Sequence, residues 1–207
     1  RNDVNQEVIR LEKAPKIAIY SPKNKQPWDD AVTLALSYAE IPYDIIYDEE
    51  VLSNLLPLYD WLHLHHEDFT GQYGKFYASF KNASWYKEQK KTFEKDAKKL
   101  GYEKVSQAKL SVAKKIKEYV NSGGFLFAMC SATDTYDIAL AADGIDICHH
   151  MFDGDPIDND INKKLDFSKT FAFKNFELVQ NPNKYEFSSI DATQSRRVKA
   201  NVDFFTL

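Results

Sequence analysis

Short apolar runs alternate with segments of helical periodicity up to about residue 144 of this chain. We predict helices over residues 28–40, 105–124 and 133–144, where apolar residues recur every three to four positions. We predict buried strands at four runs: KIAIYS (16–21), YDIIYD (43–48), YDWLHLHHED (59–68) and GFLFAMC (124–130). This alternation favours an α/β fold, a three-layer sandwich in which helices cover both faces of a mostly parallel sheet.

Two segments depart from this alternation. Residues 70–104 are first aromatic and then rich in lysine, so we predict a helical insertion with solvated basic faces between the third strand and its crossover helix. Residues 169–190 alternate in polarity, which predicts one or two antiparallel strands after the parallel sheet.

The sequence predicts one domain preceded by a short segment. Residues 1–15 are polar and irregular, and we interpret them as an N-terminal segment or linker before a domain that spans 16–207. The chain starts at Arg1 rather than at Met, and its last residues, VDFFTL, have the character of a strand that is cut midway. We therefore interpret the sequence as a fragment whose domain is incomplete at its C-terminus.

Charge and composition exclude several classes of protein. The 207 residues carry a net charge of −4, and 43% of them are hydrophobic, as in a globular chain without a general nucleic-acid or anionic-membrane footprint. No apolar run approaches the roughly 18 residues of a membrane span, and two cysteines are too few for a disulfide scaffold. We expect a small-molecule substrate or ligand, no nucleic acid, no membrane span, and no cofactor or metal. Localisation stays open between cytoplasmic and exported, and the oligomeric state also stays open.

Cys130 lies where the fourth predicted strand turns into the next helix. A sharp turn of this kind exposes a nucleophile, and the following helix N-terminus and backbone N–H can stabilise a thiolate and an oxyanion. The usual pattern has glycine two residues before and two residues after the nucleophile, and here Ala128 and Ala132 take those places. Cys130 is therefore a candidate nucleophile and Ser131 a candidate oxyanion donor, with a buried structural cysteine as the alternative.

Three histidines and two acids stand at the end of the third predicted strand. In an extended strand His63, His65 and Glu67 share one face, whereas His66 lies on the other. Ligands of parallel sheets bind beyond the carboxyl ends of the strands, so His65 to Asp68 should reach the site and His63 should line it. The histidines are candidates for a base, a substrate clamp, a metal pair or structural residues, although a third zinc ligand is lacking. Our candidate catalytic set is Cys130, His65, His66 and Glu67, and Asp68 is placed in the pocket lining.

Other polar residues also follow the predicted strands. Trp28 and Asp29 come after the first strand and Asp134 comes after Cys130, so these three are candidates for lining the pocket, with packing or helix-start roles as alternatives. His149 and His150 precede aspartates at positions 153, 155, 158 and 160, whose spacing does not match a calcium loop. We interpret this stretch as an acidic surface loop, with cation binding or a histidine that faces the thiol as alternatives.

The junction at Cys130, the strand order and the polar end of the third strand together resemble the class I glutamine amidotransferase-like superfamily. This is a flavodoxin-like group that includes the ThuA-like proteins. Three stretches are similar to a Bacteroidetes family commonly labelled asparagine synthetase B: KIAIYSPKNKQPWDDAVTLALSYAEIPYDIIYDEE, YDWLHLHHEDFTGQYGKFY and GGFLFAMCSATDTYDIALAADGIDIC. The resemblance covers about residues 5–205 and implies further chain on both sides.

The resemblance implies a thioester chemistry in part. The amidotransferase nucleophile aligns with Cys130, and the Ser131 N–H is implied as one oxyanion donor. The second donor comes from a glycine-rich loop in that superfamily, and Asp68 to Gly71 occupies its place without matching it. The superfamily's histidine and acid follow the nucleophile, and no such pair is recognisable before Leu207.

The asparagine synthetase label itself conflicts with the residues. A glutamine-dependent asparagine synthetase needs a cysteine at its mature N-terminus, where this chain has Arg1, and a Ser-Gly-Gly-x-Asp-Ser loop, whose aspartate is missing after Gly124. Two functions therefore stay open. The first is a cysteine-dependent amidotransferase or hydrolase of C–N bonds. The second is a non-catalytic, ThuA-like α/β module that binds a small molecule or a carbohydrate.

Overall fold

A computed structural model describes residues 14–22 and 31–191 of the chain. Within these ranges strands and helices alternate and the sheet is parallel, which confirms the predicted α/β fold. The strands are β1 (Ile17–Tyr20), β2 (Tyr43–Ile46), β3 (Trp61–Leu64) and β4 (Phe125–Ala128). The helices are α1 (Ala31–Tyr38), α2 (Asp48–Leu52), α3 (Tyr77–Phe80), α4 (Ser84–Lys99), α5 (Val105–Asn121), α6 (Ser131–Ala141), α7 (His150–Asp153) and α8 (Ile161–Lys164). Our predictions for Trp28, Asp29 and the VDFFTL segment lie outside the described residues.

The four strands form one sheet in the order β2-β1-β3-β4, and every neighbouring pair is parallel. Parallel pairing brings the carboxyl ends of all strands to one edge of the sheet. At this edge the Ser21 N–H donates to the Ile46 carbonyl at 3.0 Å, and the Met129 N–H donates to the Leu64 carbonyl at 2.9 Å. The residues that follow β1, β2, β3 and β4 therefore converge, as ligand-binding residues of parallel sheets do.

Both faces of the sheet carry apolar residues, because side chains alternate along each strand. One face, with Tyr20 and Leu64, packs in the main core against the apolar stripe of α5 that includes Val112 and Ile116. On the other face Ile17, Ile19 and Trp61 pack with Leu36 of α1. Helices thus cover both faces of the central strands, but Phe125 on β4 remains 57% exposed.

The helical insertion and the last described segment differ in how far they follow the sequence pattern. The segment 70–104 contains α3 and α4, and Gly101, at φ +88°, separates α4 from α5. The one or two antiparallel strands predicted for residues 169–190 are absent from the described chain, apart from one antiparallel bridge between Leu178 and Ser188. The buried Asp137 carboxylate accepts three consecutive backbone N–H groups, from residues 171 to 173, at 2.7–2.8 Å. These contacts curl the chain where a strand was predicted.

Candidate functional site

Cys130 stands alone between β4 and α6 in an unusual backbone conformation. Its φ is +49° and its ψ is −136°, and it immediately precedes the first residue of α6. This combination lies outside the left-handed helical region and is one that residues with a Cβ rarely adopt. The side chain is exposed rather than buried. The strand, this turn (called the elbow below) and the helix thus hold an exposed thiol between β4 and α6.

The first turn of α6 supplies a backbone donor beside this thiol. The Ala132 N–H donates to the His65 carbonyl and the Thr133 N–H to the Cys130 carbonyl, at 3.2 and 3.1 Å. In the described ranges no group accepts the Ser131 N–H, and Ser131 lines the adjacent cavity. An amide of this kind, at a helix N-terminus and next to the nucleophile, suits stabilisation of an oxyanion.

A cavity of about 320 Å³ opens at the carboxyl edge of the sheet. This volume suits a small molecule. Its lining combines six Tyr and Phe residues with polar groups from the chain that follows β3, and it includes Tyr20, Tyr47, His65, His66, Glu67, Asp68, Tyr73, Phe76, Gln89, Phe93, Lys109, Ser131 and Tyr185. Cys130 itself is not among the lining residues, whereas its neighbour Ser131 is. The thiol is therefore not part of the cavity wall, although the next residue along the chain is.

The structure separates His63 of β3 from the two histidines that follow the strand. His65 and His66 follow the strand and line the cavity, with their ring centroids 3.5 Å apart. His63 shares a face with His65, as the strand pattern predicts, but it is fully buried and stacks on Phe127 at 5.5 Å. The hydrogen bond from the Ala132 N–H to the His65 carbonyl ties this corner of the cavity to α6, directly after the elbow.

The two acids after the histidines line the cavity, and their carboxylates also accept hydrogen bonds from nearby backbone N–H groups. One Glu67 carboxylate oxygen accepts the His65 N–H at 2.7 Å. The Asp68 carboxylate accepts the Thr70 N–H at 2.7 Å and the Gly74 N–H at 2.9 Å. Asp68 therefore organises the loop that follows β3, and Gly74 in that loop has φ +69°.

Asp134 is buried in α6 and does not belong to the lining of the cavity. Burial raises its pKa to about 7, and the charges of Asp191 and Asp68 act in the same direction. The Ser188 hydroxyl lies 3.4 Å from its carboxylate. Asp134 thus faces the segment around residue 188 instead of the cavity.

A buried charged cluster forms one end of the cavity, and sequence reasoning missed it. The Lys109 ammonium of α5 is 3% exposed and donates to the Asp48 carboxylate at 2.8 Å and to the hydroxyls of Tyr20 and Tyr47 at 2.9 Å. The Tyr20 hydroxyl also donates to Asp48. Burial lowers the pKa of Lys109, but Asp48 and the hydroxyls outweigh burial, so the net pKa is raised. A lysine on the apolar stripe of α5 was the available signal, since Lys109 stands three residues before Val112.

The acidic stretch after residue 145 gathers around another lysine. Lys104 lies 2.5 Å from Asp146, 3.2 Å from Asp153 and 2.5 Å from Asp155. Asp146, Cys148 and Asp153 could each offer one atom to a metal ion, and these atoms lie within 4.8 Å of one another. The Lys104 ammonium already donates hydrogen bonds to both carboxylates.

The neighbouring residues of this stretch have contacts of their own. Cys148 is buried, and its thiol donates to the Thr70 carbonyl at 3.1 Å. His149 caps α7 by accepting the Met151 N–H at 3.3 Å, and its ring centroid lies 4.2 Å from that of His150.

The fold and the site define an α/β protein with a polar, aromatic-lined cavity at the carboxyl edge of a parallel sheet. Comparison of the chain with protein-family models, with curated proteins and with solved structures finds no significant match. Among the described residues, no helix has the length and apolar character that a membrane crossing requires.

Proposed function

We propose that this chain is a flavodoxin-like, class I glutamine amidotransferase-like domain that cleaves a C–N bond through a thioester at Cys130. The observation that carries the proposal is the strained backbone of Cys130, at φ +49° and ψ −136°, between a parallel strand and a helix. Strain at a non-glycine residue persists where the surrounding structure enforces it, and such residues cluster at active sites. The exposed thiol and the neighbouring Ser131 amide support the same chemistry.

The proposed reaction has two steps. The Cys130 sulfur attacks the carbonyl carbon of a carboxamide, a C–S bond forms, and the negative charge on oxygen is stabilised by the Ser131 N–H. The C–N bond then breaks, and ammonia leaves with the proton that His65 or His66 took from the thiol. Water next attacks the thioester, which releases a carboxylic acid and restores the thiol.

Thiol reactivity and amide hydrolysis test this proposal together. Cys148 is an internal control, because burial raises its pKa well above the usual value of a thiol. We expect iodoacetamide to alkylate Cys130 rapidly near pH 7 and Cys148 slowly, as peptide mass spectrometry would measure. We also expect ammonia release from L-glutamine or another carboxamide in a panel, and its loss in Cys130→Ala.

The expected role of the imidazoles gives this test a second arm. His65→Gln and His66→Gln should be compared with His150→Gln, a matched control on α7. At least one of the first pair should slow the alkylation of Cys130 near neutral pH, whereas the control should not. Equally slow alkylation of both cysteines, with unchanged ammonia release in Cys130→Ala, would refute the proposal.

A second candidate function is the binding of a small polar ligand such as a carbohydrate. It is favoured by the aromatic lining of the cavity, from which Cys130 itself is absent. Sugars stack on aromatic rings, and their hydroxyls donate hydrogen bonds to carboxylates such as that of Glu67. If this function is the correct one, calorimetry should detect a sugar that binds equally well to the natural chain and to Cys130→Ala, but not to Tyr47→Ala.

A further inference from the structure

A hairpin-like segment, residues 177–189, lies beside α6, where the Ser188 hydroxyl is 3.4 Å from the Asp134 carboxylate. Its two arms are joined by the antiparallel bridge of Leu178 and Ser188, and the Val179 N–H donates to the Phe187 carbonyl at 2.9 Å. Near its tip the Lys184 N–H donates to the Asn181 carbonyl at 3.1 Å, which closes a turn. The segment is therefore a defined structure rather than an irregular tail.

Lys75 connects the two arms of this hairpin through hydrogen bonds. Its side chain is 2% exposed, and its ammonium donates to the carbonyls of Val179 at 2.6 Å and Glu186 at 2.7 Å, one on each arm. Burial lowers the pKa of this ammonium to about 8, although the charges of Asp68 and Glu186 act in the opposite direction. A buried ammonium that loses its hydrogen bonds is costly in free energy. The two hydrogen bonds therefore hold both arms of the hairpin against Lys75.

Tyr185 is the residue that this hairpin presents to the site. It lines the same cavity as Ser131, and its ring packs against Phe76 at a centroid distance of 5.9 Å. Burial raises the pKa of Tyr185, and the nearby Cys130 raises it further, so its hydroxyl stays protonated and can donate near neutral pH. Within the described ranges this hydroxyl has no hydrogen-bond partner in the protein.

We propose that the Tyr185 hydroxyl, which shares the cavity with Ser131, is the second oxyanion donor of the site beside the Ser131 N–H, and that it stabilises the tetrahedral intermediate formed at Cys130. This inference rests on the proposed function. In the loop at Asp68 to Gly71, where the resemblance places the second donor, the Thr70 N–H already donates to the Asp68 carboxylate at 2.7 Å. A phenol held by the hairpin supplies the missing donor, and the thioester chemistry is otherwise unchanged.

The test compares a reaction that forms an oxyanion with one that does not. Acylation of Cys130 by p-nitrophenyl acetate passes through a tetrahedral oxyanion, whereas alkylation by iodoacetamide is a direct displacement at carbon. Both rates are measured on the full chain in a Cys148→Ala background. We expect Tyr185→Phe to slow acylation on the order of 100-fold and to leave alkylation unchanged. Tyr59→Phe is the matched control, because its hydroxyl bonds to Asp44 near the other end of the strands.

The outcomes separate the two proposals. If the parent protein and Tyr185→Phe are acylated at equal rates, the role of Tyr185 is overturned, while Cys130 remains a nucleophile. A parallel loss of acylation and alkylation would also overturn it, because a merely structural effect moves both rates. If Cys130 is not acylated at all in the parent protein, the proposed function itself fails.

Discussion

Replacing Cys130 by glycine is expected to stabilise the fold while it removes the nucleophile. At φ +49° and ψ −136° a Cβ is strained, and strain at such positions amounts to about 1–3 kcal/mol. Glycine relieves this strain but adds about 0.5–1 kcal/mol of chain entropy to the unfolded state. The expected net gain over Cys130→Ala is therefore about 0–2.5 kcal/mol. Alanine is the proper reference, since it keeps the Cβ and removes the thiol.

Urea denaturation followed by circular dichroism would measure this difference. For a chain of this size a gain of 1 kcal/mol also raises the melting temperature by about 2–4 °C. Ser53 provides a matched control, because it is exposed, flanks a helix and has an ordinary φ of −78°. There glycine should be less stable than alanine. If Cys130→Gly is also less stable than Cys130→Ala, the elbow is not strained, and the main support for the nucleophile is lost.

Three further substitutions test other parts of the account. Lys109→Met should lower the free energy of unfolding by about 3–5 kcal/mol, because Asp48 stays buried without its partner, and adding Asp48→Leu should recover most of that loss in urea titrations. Burial raises the pKa of Asp134 to about 7, so the native state keeps a proton that the unfolded state loses above about pH 4. Stability should therefore fall from about pH 4 to 7, by at most about 1.4 kcal/mol per pH unit, and an equally steep fall in Asp134→Asn would contradict this assignment. Gly74→Ala should cost about 1–3 kcal/mol in thermal denaturation, because φ is +69° and a Cβ would lie 2.6 Å from the Phe76 ring; an unchanged melting temperature would refute the tight loop.

The alternation of apolar runs and helical stripes was sufficient to predict the parallel α/β sheet. Such elements can be predicted from local patterns. The apolar run of β3 is enough to predict a buried strand, and the spacing of Val112, Ile116 and their neighbours is enough to predict α5. The strand prediction for residues 169–190 was wrong because of a tertiary contact. Their alternation matches a strand, but the buried Asp137 captures three of their backbone N–H groups. No local pattern indicates that a distant carboxylate competes for these donors.

The candidate site was predictable in part for similar reasons. The elbow followed from the junction of an apolar strand and a helix, and the position of His65 and His66 followed from the rule that parallel strands end at one edge. The separation of His63 from them did not follow, since a strand pattern gives its face but not its burial beside Phe127. Contacts between residues far apart in sequence, such as Lys109 with Asp48, depend on how the helices pack.

The central claim is that Cys130 forms a covalent acyl intermediate, and direct trapping tests it. The full chain would be mixed with L-glutamine and the other carboxamides of the panel, quenched in acid during turnover, and examined by intact and peptide mass spectrometry. We expect one acyl group, located on the peptide that contains Cys130 and absent from Cys130→Ala. Turnover that proceeds with Cys130 unmodified and the acyl group on another residue, or unaltered turnover in Cys130→Ala, would contradict it.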